Sequence, residues 1–563
     1  MAGQGNIVWS GGYALRLCLW SLMGGALAGA CSVAAPVWYG MLRERILRSR
    51  GGLARGEEIS RGGSPHCGSS ILGGGNVLCG SLKAWQFWAV CFALIFLCWL
   101  PCYPAYYPGI CAYDVTMQTG QIEDHAYNDH HPILHTLLIE GSMRMGTALF
   151  GDANTGLGIM VLAQMCCLAA ALAWGITLLR GRGASGIVIG CLQLGSMLYP
   201  FHWYMSVSVI KDVFFSIFFL LQMIALCETI RRRKSSPDLY DGLFAISSIG
   251  MQLFRTNGRY ALLALLVLLL GACVFGRANR RLWGRLVLNC AVCLVAGSLL
   301  LSGLFRVTKA EQGDRREMLS MPIQQLARCM LYHGGSGALP GDDGSMEEQD
   351  RALINDFILD EAWREYRPDI SDPVKRHTNT YVARYRAGDF ARAYLHLLCQ
   401  YPGDFLNAAL AVNAGYLYVG DETHAVINKN GRDRGLGYVQ TRWVEEELNP
   451  RGLYKDSKWE SLHEILEEWA DENAYLKMPV LKYLFVPGVF LWLYLLLAGC
   501  LAARRRYAEC MPLGLVMGYY LTLFLGPTVQ LRYIYPLMLA LPFTAWLTLT
   551  GDRDKERDHE RKA

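Results

Sequence analysis

The sequence predicts an all-α polytopic membrane protein, and three observations carry that prediction. Of its 563 residues, 53% are hydrophobic and only 18% are charged, where a soluble globular chain carries about a quarter charged residues. Apolar runs close to the ~20 residues that span a hydrocarbon core recur along the chain. Basic residues gather between those runs, in Arg43–Lys83, Arg180–Arg182, Arg231–Lys234, Arg277–Arg285 and Arg504–Arg506, and in the tail Arg553–Lys562.

The first run is Leu17–Leu42. Its Leu27-Ala-Gly-Ala-Cys31 has the look of a lipoprotein cleavage site, but Arg43, Arg45, Arg48 and Arg50 follow the apolar stretch instead of preceding it. That is the pattern of a retained span with its C-terminal end in the cytoplasm. Further spans are expected at Ala84–Leu100, Leu157–Leu179, Ser185–Leu198, Tyr240–Phe254, Tyr260–Phe275, Leu282–Phe305, Val480–Ala503, Pro512–Leu525 and Ile534–Leu549, with one more in the helix that Lys211 opens. Most of the 19 cysteines sit inside such runs, Cys91, Cys166 and Cys290 among them. There they act as small hydrophobes, so no disulfide framework follows. His66, Cys67 and Cys79 lack the paired spacing of a zinc site.

Positive loops mark the cytoplasmic side. Threading the spans through them gives about eleven transmembrane helices in a plasma membrane, with the N-terminus outside and the C-terminus cytoplasmic. The alternation holds only if His131–Phe150 does not cross. Pro132 then opens a surface helix over Pro132–Leu149, with its histidine and glutamate in water. The chain divides accordingly. A membrane domain over 1–305 carries a cytoplasmic Gly-rich loop, 43–83, and an extracytoplasmic loop, 101–156. An extracytoplasmic, mostly helical domain covers 306–478, where the apolar spacing is helical. C-terminal membrane helices over 479–550 and a charged cytoplasmic tail, 551–563, complete it.

Chemistry concentrates in Tyr106–Thr136, which holds Asp114, Glu123, Asp124, Asp129 and four histidines, in a stretch without Lys or Arg from Ala84 to Met143. Basic residues on the expected outer face are exceptions to the orientation rule. They are Arg255 and Arg259 in Arg-Thr-Asn-Gly-Arg-Tyr, Arg532 in Leu-Arg-Tyr-Ile-Tyr-Pro, and Lys211 beside Asp212. Any one of them alone fits snorkelling at a helix end. Together, beside an acidic loop, they suit a phosphate or diphosphate, which guanidinium groups grip bidentately. Lys211 and Asp212 are adjacent and so face different ways on a helix. Asp114 reads as a base or as a helix-capping residue. His130 and His131 read as bases, as ligands, or as residues leading into the Pro132 helix. A divalent metal, if one is bound, would take Asp114, Asp129 and His131. No Walker loop, G-x-S-x-G elbow or H-E-x-x-H is present. The energy for a reaction would therefore lie in the substrate, and nothing points to nucleic acid.

An aspartate in the first long outer loop, a His-Pro-x-Leu sequence opening a surface helix, a span and then a basic turn resemble the GT-C membrane glycosyltransferases. Here these are Asp114, His131-Pro132-Ile133-Leu134, Leu157–Leu179 and Arg180-Gly-Arg182. More narrowly, Tyr107-Pro-Gly109, Asp114, Gln118, His131-Pro132, Lys211-Asp212, Arg255-Thr-Asn-Gly258 and Arg532-Tyr533 resemble a group of bacterial multi-span proteins placed in that superfamily. The likeness covers the membrane part and hardly touches Arg306–Met478. It implies transfer of a sugar from a polyprenyl-phosphate or -diphosphate donor to an envelope glycan, lipid or protein. Asp114 would be base or metal ligand. Tyr107, Gln118, His130, Lys211, Asp212, Arg255, Asn257, Arg259, Arg532 and Tyr533 would hold substrate, and Asp129 and His131 would join Asp114 in catalysis. Many members carry a second acidic residue beside that aspartate; Tyr113 and Val115 stand there instead. The partner carboxylate is open among Glu123, Asp124 and Asp129. A transporter or lipid flippase, or a non-catalytic envelope assembly protein, is the alternative.

Overall fold

The computed structural model describes residues 82–550, apart from 235, 277–278, 314, 340, 420–444 and 472–477. The expected first span Leu17–Leu42, loop residues 43–81 and the tail 551–563 lie outside the described residues. Within them every regular element is helical, and strand-like pairing is limited to isolated bridges. In chain order the longer helices are α1 (Ala84–Trp99), α2 (Tyr113–Glu123), α3 (Ile133–Phe150), α4 (Ala153–Gly181), α5 (Gly186–Leu198), α6 (Pro200–Val207), α7 (Lys211–Arg232), α8 (Leu239–Phe254) and α9 (Thr256–Phe275). They continue with α10 (Arg280–Thr308), α11 (Ser320–His333), α12 (Glu348–Phe357), α13 (Ala387–Gln400), α14 (Pro402–Val412), α15 (Glu460–Asp471), α16 (Pro487–Ala503), α17 (Met511–Phe524) and α18 (Leu531–Leu549).

Five segments are long and apolar enough to cross a membrane: Ala84–Ala105, Ala153–Gly181, Lys211–Arg232, Thr256–Phe275 and Arg280–Thr308. The other expected spans within the described residues are helices too, as α5, α8, α16, α17 and α18, but shorter or less apolar. The axis of the bundle is α7, which packs along α8 and α18. In its most apolar stretch 83% of the residues are buried inside the protein, against 28% for α9 and α10. So α7 is a core helix, while α9 and α10 expose apolar residues such as Val267, Val274, Leu288 and Leu299.

Basic segments that the sequence scatters come together at one end of the bundle. Arg182 and Arg232 both reach Glu228, Arg285 reaches Asp241, and Arg233 and Arg506 share Glu509. The opposite end is built by α2, by the starts of α7, α9 and α18, and by α3. Helix α3 begins beside Lys211 and ends where α4 starts, so both its termini lie at this end. Contact with α4 is at backbone distance: a Cβ on Gly156 would sit 1.9 Å from the Ser142 carbonyl oxygen. The sequence reading puts the histidine and glutamate of α3 in water, and the structure corrects this. His135 is fully enclosed, with its Nδ1 3.0 Å from Gln118 Nε2, and buried Glu140 accepts from the Tyr127 hydroxyl at 2.8 Å. His135 and Glu140 stand on the packed side of α3, away from its exposed residues such as Leu138, Gly141 and Met145, so each has a partner inside.

The described residues of 306–478 contribute to two cores. Helices α11 to α14 enclose their own core of Ile323, Leu326, Phe357, Trp363, Leu397 and Phe405. Leu448, Leu453, Leu466 and Ala470 belong to the core of the membrane bundle instead. Both parts brace the α2 end. Ser371 N–H donates to the Pro527 carbonyl at 3.0 Å, in the loop that leads into α18. Arg451 grips α2, with its Nε 2.7 Å from Glu123 Oε2 and its NH1 2.9 Å from the Thr116 carbonyl.

Candidate functional site

Four helices start at one place. Ala112, Ile210, Arg255 and Gln530, the residues just ahead of α2, α7, α9 and α18, are all extended, and none caps its helix with a side-chain hydrogen bond. Two of the entering segments are stitched together. Ile110 N–H donates to Val207 O at 2.8 Å and Val209 N–H to Ile110 O at 2.9 Å. Only glycine serves just before that bridge: Gly109 has φ +152°, and a Cβ there would lie 2.7 Å from Val161 Cγ2. The starts of α2 and α7 are therefore held in register by backbone. Each N-terminus carries partial positive charge from unsatisfied N–H groups, so the convergence favours an anion.

The side chains at these starts add more positive charge. Lys211 opens α7, Arg255 precedes α9 and Arg532 is the second residue of α18, against one aspartate each in the first turns of α2 and α7. They form an alternating chain. Lys211 Nζ donates to Asp114 Oδ2 at 2.8 Å, and Arg532 NH1 donates to the same oxygen at 3.2 Å. The same NH1 lies 4.0 Å from Asp212 Oδ2, and Asp212 Oδ1 accepts from Arg255 NH1. Arg255 stacks on the Tyr533 ring, 4.6 Å from its centroid, and Arg532 approaches the same ring at 5.3 Å. Three cations against two carboxylates leave the cluster one positive charge in excess.

The cluster has a fixed layer and an accessible one. Asp212 is wholly enclosed, whereas the side chains of Lys211, Asp114 and Arg532 keep 15%, 13% and 13% of their surface exposed. Burial alone would push the Asp114 carboxyl up, but Arg532 and Lys211 outweigh it and hold the group well below the usual carboxylate range. Buried His131 completes the chain, with its Nδ1 3.0 Å from Lys211 Nζ. Burial, and then the neighbouring ammonium, push His131 well below the usual imidazole range. An ammonium only donates, so Nδ1 accepts and the ring proton sits on Nε2, which is enclosed and has no hydrogen-bond partner among the described residues.

Of the residues singled out from sequence, Asp114, His131, Lys211, Asp212, Arg255, Arg532 and Tyr533 meet here. None of the others bonds to the cluster, and only His130 among them borders it, at His131. Asp129 is exposed and accepts from the Gly313 N–H. His130 is exposed with its ring edge-on to His131, centroids 4.7 Å apart. Gln118 is a tie between helices, reaching Thr136 Oγ1 at 2.9 Å beside His135. Tyr107 bonds Thr155 Oγ1 at 3.3 Å, and Asn257 bonds Thr522 Oγ1 at 2.8 Å. Arg259 makes no ion pair among the described residues. Of the three open partner carboxylates, Glu123 is taken by Arg451, and neither Asp124 nor Asp129 reaches the cluster. The carboxylate that shares Arg532 with Asp114 is Asp212. Sequence reading also passed over Gln530, whose Oε1 accepts from Arg532 Nε at 2.6 Å. Its place two residues ahead of Arg532 was the available signal.

A divalent metal fits this donor set poorly. Asp114 Oδ2 already meets two cationic groups, the Lys211 ammonium faces the His131 nitrogen a metal would use, and Asp129 is engaged elsewhere. What the arrangement can do is hold an anion against fixed positive charge, with a carboxylate beside it.

Residues 122–563 match the model of a family described as a family of unknown function, DUF6020, and the chain belongs to that family. The matched span includes His131, Lys211, Asp212, Arg255 and Arg532, and begins after Asp114. No curated protein and no solved structure matches the chain.

Proposed function

We propose that this protein is an integral membrane glycosyltransferase that moves a sugar from a polyprenyl-phosphate-linked donor to an extracytoplasmic acceptor. The observation that carries the proposal is the cation-rich cluster at four converging helix starts, with Asp114 as its accessible carboxylate. In this reading about eleven helices cross the plasma membrane in a GT-C-like arrangement, and the Asp114 end faces outward.

The donor phosphate lies against Lys211 and Arg532, and Asp212, itself paired with Arg255, holds Arg532 from behind. An acceptor hydroxyl attacks the anomeric carbon. Its oxygen forms the new bond to that carbon, its proton passes to Asp114, and the bond from carbon to phosphate oxygen breaks with its electron pair on the phosphate. The leaving group gains a negative charge where fixed cations stand ready. A single displacement of this kind inverts the anomeric configuration.

The test is Asp114→Asn in membranes supplied with polyprenyl-phosphate-linked sugars. Loss of the base should cost on the order of 10²–10⁴-fold in transfer while donor is still bound. Undiminished transfer would overturn the assignment. Movement of the lipid across proteoliposomes without any sugar transfer would support a flippase instead.

A further inference from the structure

We infer that the Asp114 carboxylate occupies the place of a donor phosphate oxygen, so that donor and Asp114 compete for Lys211 and Arg532 and the donor's arrival is what frees Asp114 to act as a base. This rests on the phosphate reading of the site given above.

Three observations carry it. Lys211 and Arg532 converge on one and the same oxygen of Asp114, Oδ2, from two different helices. That is how two cations grip a phosphate oxygen. Next, the exposed layer is the exchangeable one. Asp114, Lys211 and Arg532 can be reached from outside, whereas the enclosed Asp212 keeps Arg255 and stays 4.0 Å from Arg532, so it retains the cations when Asp114 lets go. Finally, the site keeps unspent capacity for an anion. It has one positive charge in excess and four helix starts without side-chain caps.

A carboxylate gripped by two cations is a poor proton acceptor, as the depressed Asp114 acidity range shows. When a phosphate oxygen takes those donors, the carboxylate loses the groups that favour its charged form and its proton affinity rises. The acceptor proton then has somewhere to go only after the donor is seated. Binding is ordered, donor first, and an acceptor hydroxyl arriving alone is not activated.

The experiment titrates farnesyl phosphate, the leaving-group half of a short donor, into the full-length protein in detergent. Asp114→Asn removes the internal competitor and keeps the shape. Its affinity for farnesyl phosphate should rise roughly tenfold, the equivalent of one charge-assisted hydrogen bond no longer displaced. The thermal shift on adding the ligand should grow with it. Asp114→Ser, read in the same titration, serves if the Asn variant does not fold. Equal or weaker binding in a folded Asp114 variant overturns the competition. The phosphate reading itself then still stands if wild type binds and Lys211→Gln and Arg532→Gln weaken it. No binding by wild type or by either Asp114 variant overturns both.

Discussion

Helix α7 ends in a charged cluster at each terminus, and the two clusters use the same residue types in opposite settings. At its C-terminal end the fully buried Glu228 collects Arg182, Arg231 and Arg232. Those arginines stand in the last turn of α7 or just past the end of α4, where the helix dipole welcomes cations. Glu228, Asp238 at 3.1 Å from Arg232, and two helix C-termini account for them. At the N-terminal end Lys211, Arg255 and Arg532 stand at helix starts, where the dipole repels cations, and the two aspartates leave one charge uncompensated. The arginines at the C-terminal end are explained by the fold. The cations at the N-terminal end are explained only with an anion added.

The largest effect that could break this contrast comes from neutralising the buried carboxylate at each end. Asp212→Asn takes the carboxylate from Arg255 and weakens the hold on Arg532, and Glu228→Gln takes one carboxylate from Arg182, Arg231 and Arg232, leaving Arg232 with Asp238. Removing one partner of a buried ion pair costs about 3–5 kcal/mol, so both variants should unfold at clearly lower temperature or denaturant. Only Asp212→Asn should also lose farnesyl phosphate binding. If Glu228→Gln lost it equally, the two ends would be one structural network and the distinction would fail.

A medium effect sharpens the contrast at the level of backbone. Gly109 sets the bridge that registers α2 against α7, and a methyl group there would meet Val161 Cγ2 at 2.7 Å and the Val207 carbonyl at 3.0 Å. Gly109→Ala should destabilise by about 1–3 kcal/mol, as overpacking does, and should reduce transfer by shifting Asp114 away from Lys211. Gly141→Ala, inside α3 with nothing within 4 Å of the new methyl, should be neutral or stabilise by up to about 1 kcal/mol. Paired thermal melts and transfer rates check both.

How far the sequence exposes this site follows from the same physics. Hydropathy and charge placement identify the helical membrane class, because lipid leaves no alternative to apolar helices or barrels. Lys211, Arg255 and Arg532 stand out as cations on the wrong side of the charge rule. Asp114 stands out by falling in a stretch free of positive charge. The convergence of four helix starts is invisible locally: α2 meets α7 through Ile110 pairing with Val207 and Val209 nearly a hundred residues on, and α18 joins them through Arg532. For the same reason the sequence leaves the partner carboxylate open among Glu123, Asp124 and Asp129, and only packing shows that Arg532 bridges Asp114 to Asp212 while Asp129 turns to Gly313. Burial of His135 and Glu140 was equally hidden, because amphipathic spacing does not say how closely two glycines let α3 approach α4.

A local response separates the ends by pH. The Arg182–Glu228 cluster and its neighbours contain no histidine among the described residues, whereas His131 sits in the Asp114 cluster and His135 beside it. His131 is pushed well below 6.5 by burial and then by Lys211, and His135 is pushed down to about 3, chiefly by burial. As pH falls through ~6.5 the unfolded chain takes up these protons and the folded chain does not. Stability is therefore full above that pH and declines below it, by at most ~1.4 kcal/mol per unit for each histidine. Hydrogen exchange should quicken in Tyr113–Glu123 between pH 6.5 and 5 and stay level near Glu228, and His131→Gln should flatten part of the slope. Equal quickening at both ends would show that the acid response belongs to the whole bundle and not to the cluster at the helix starts.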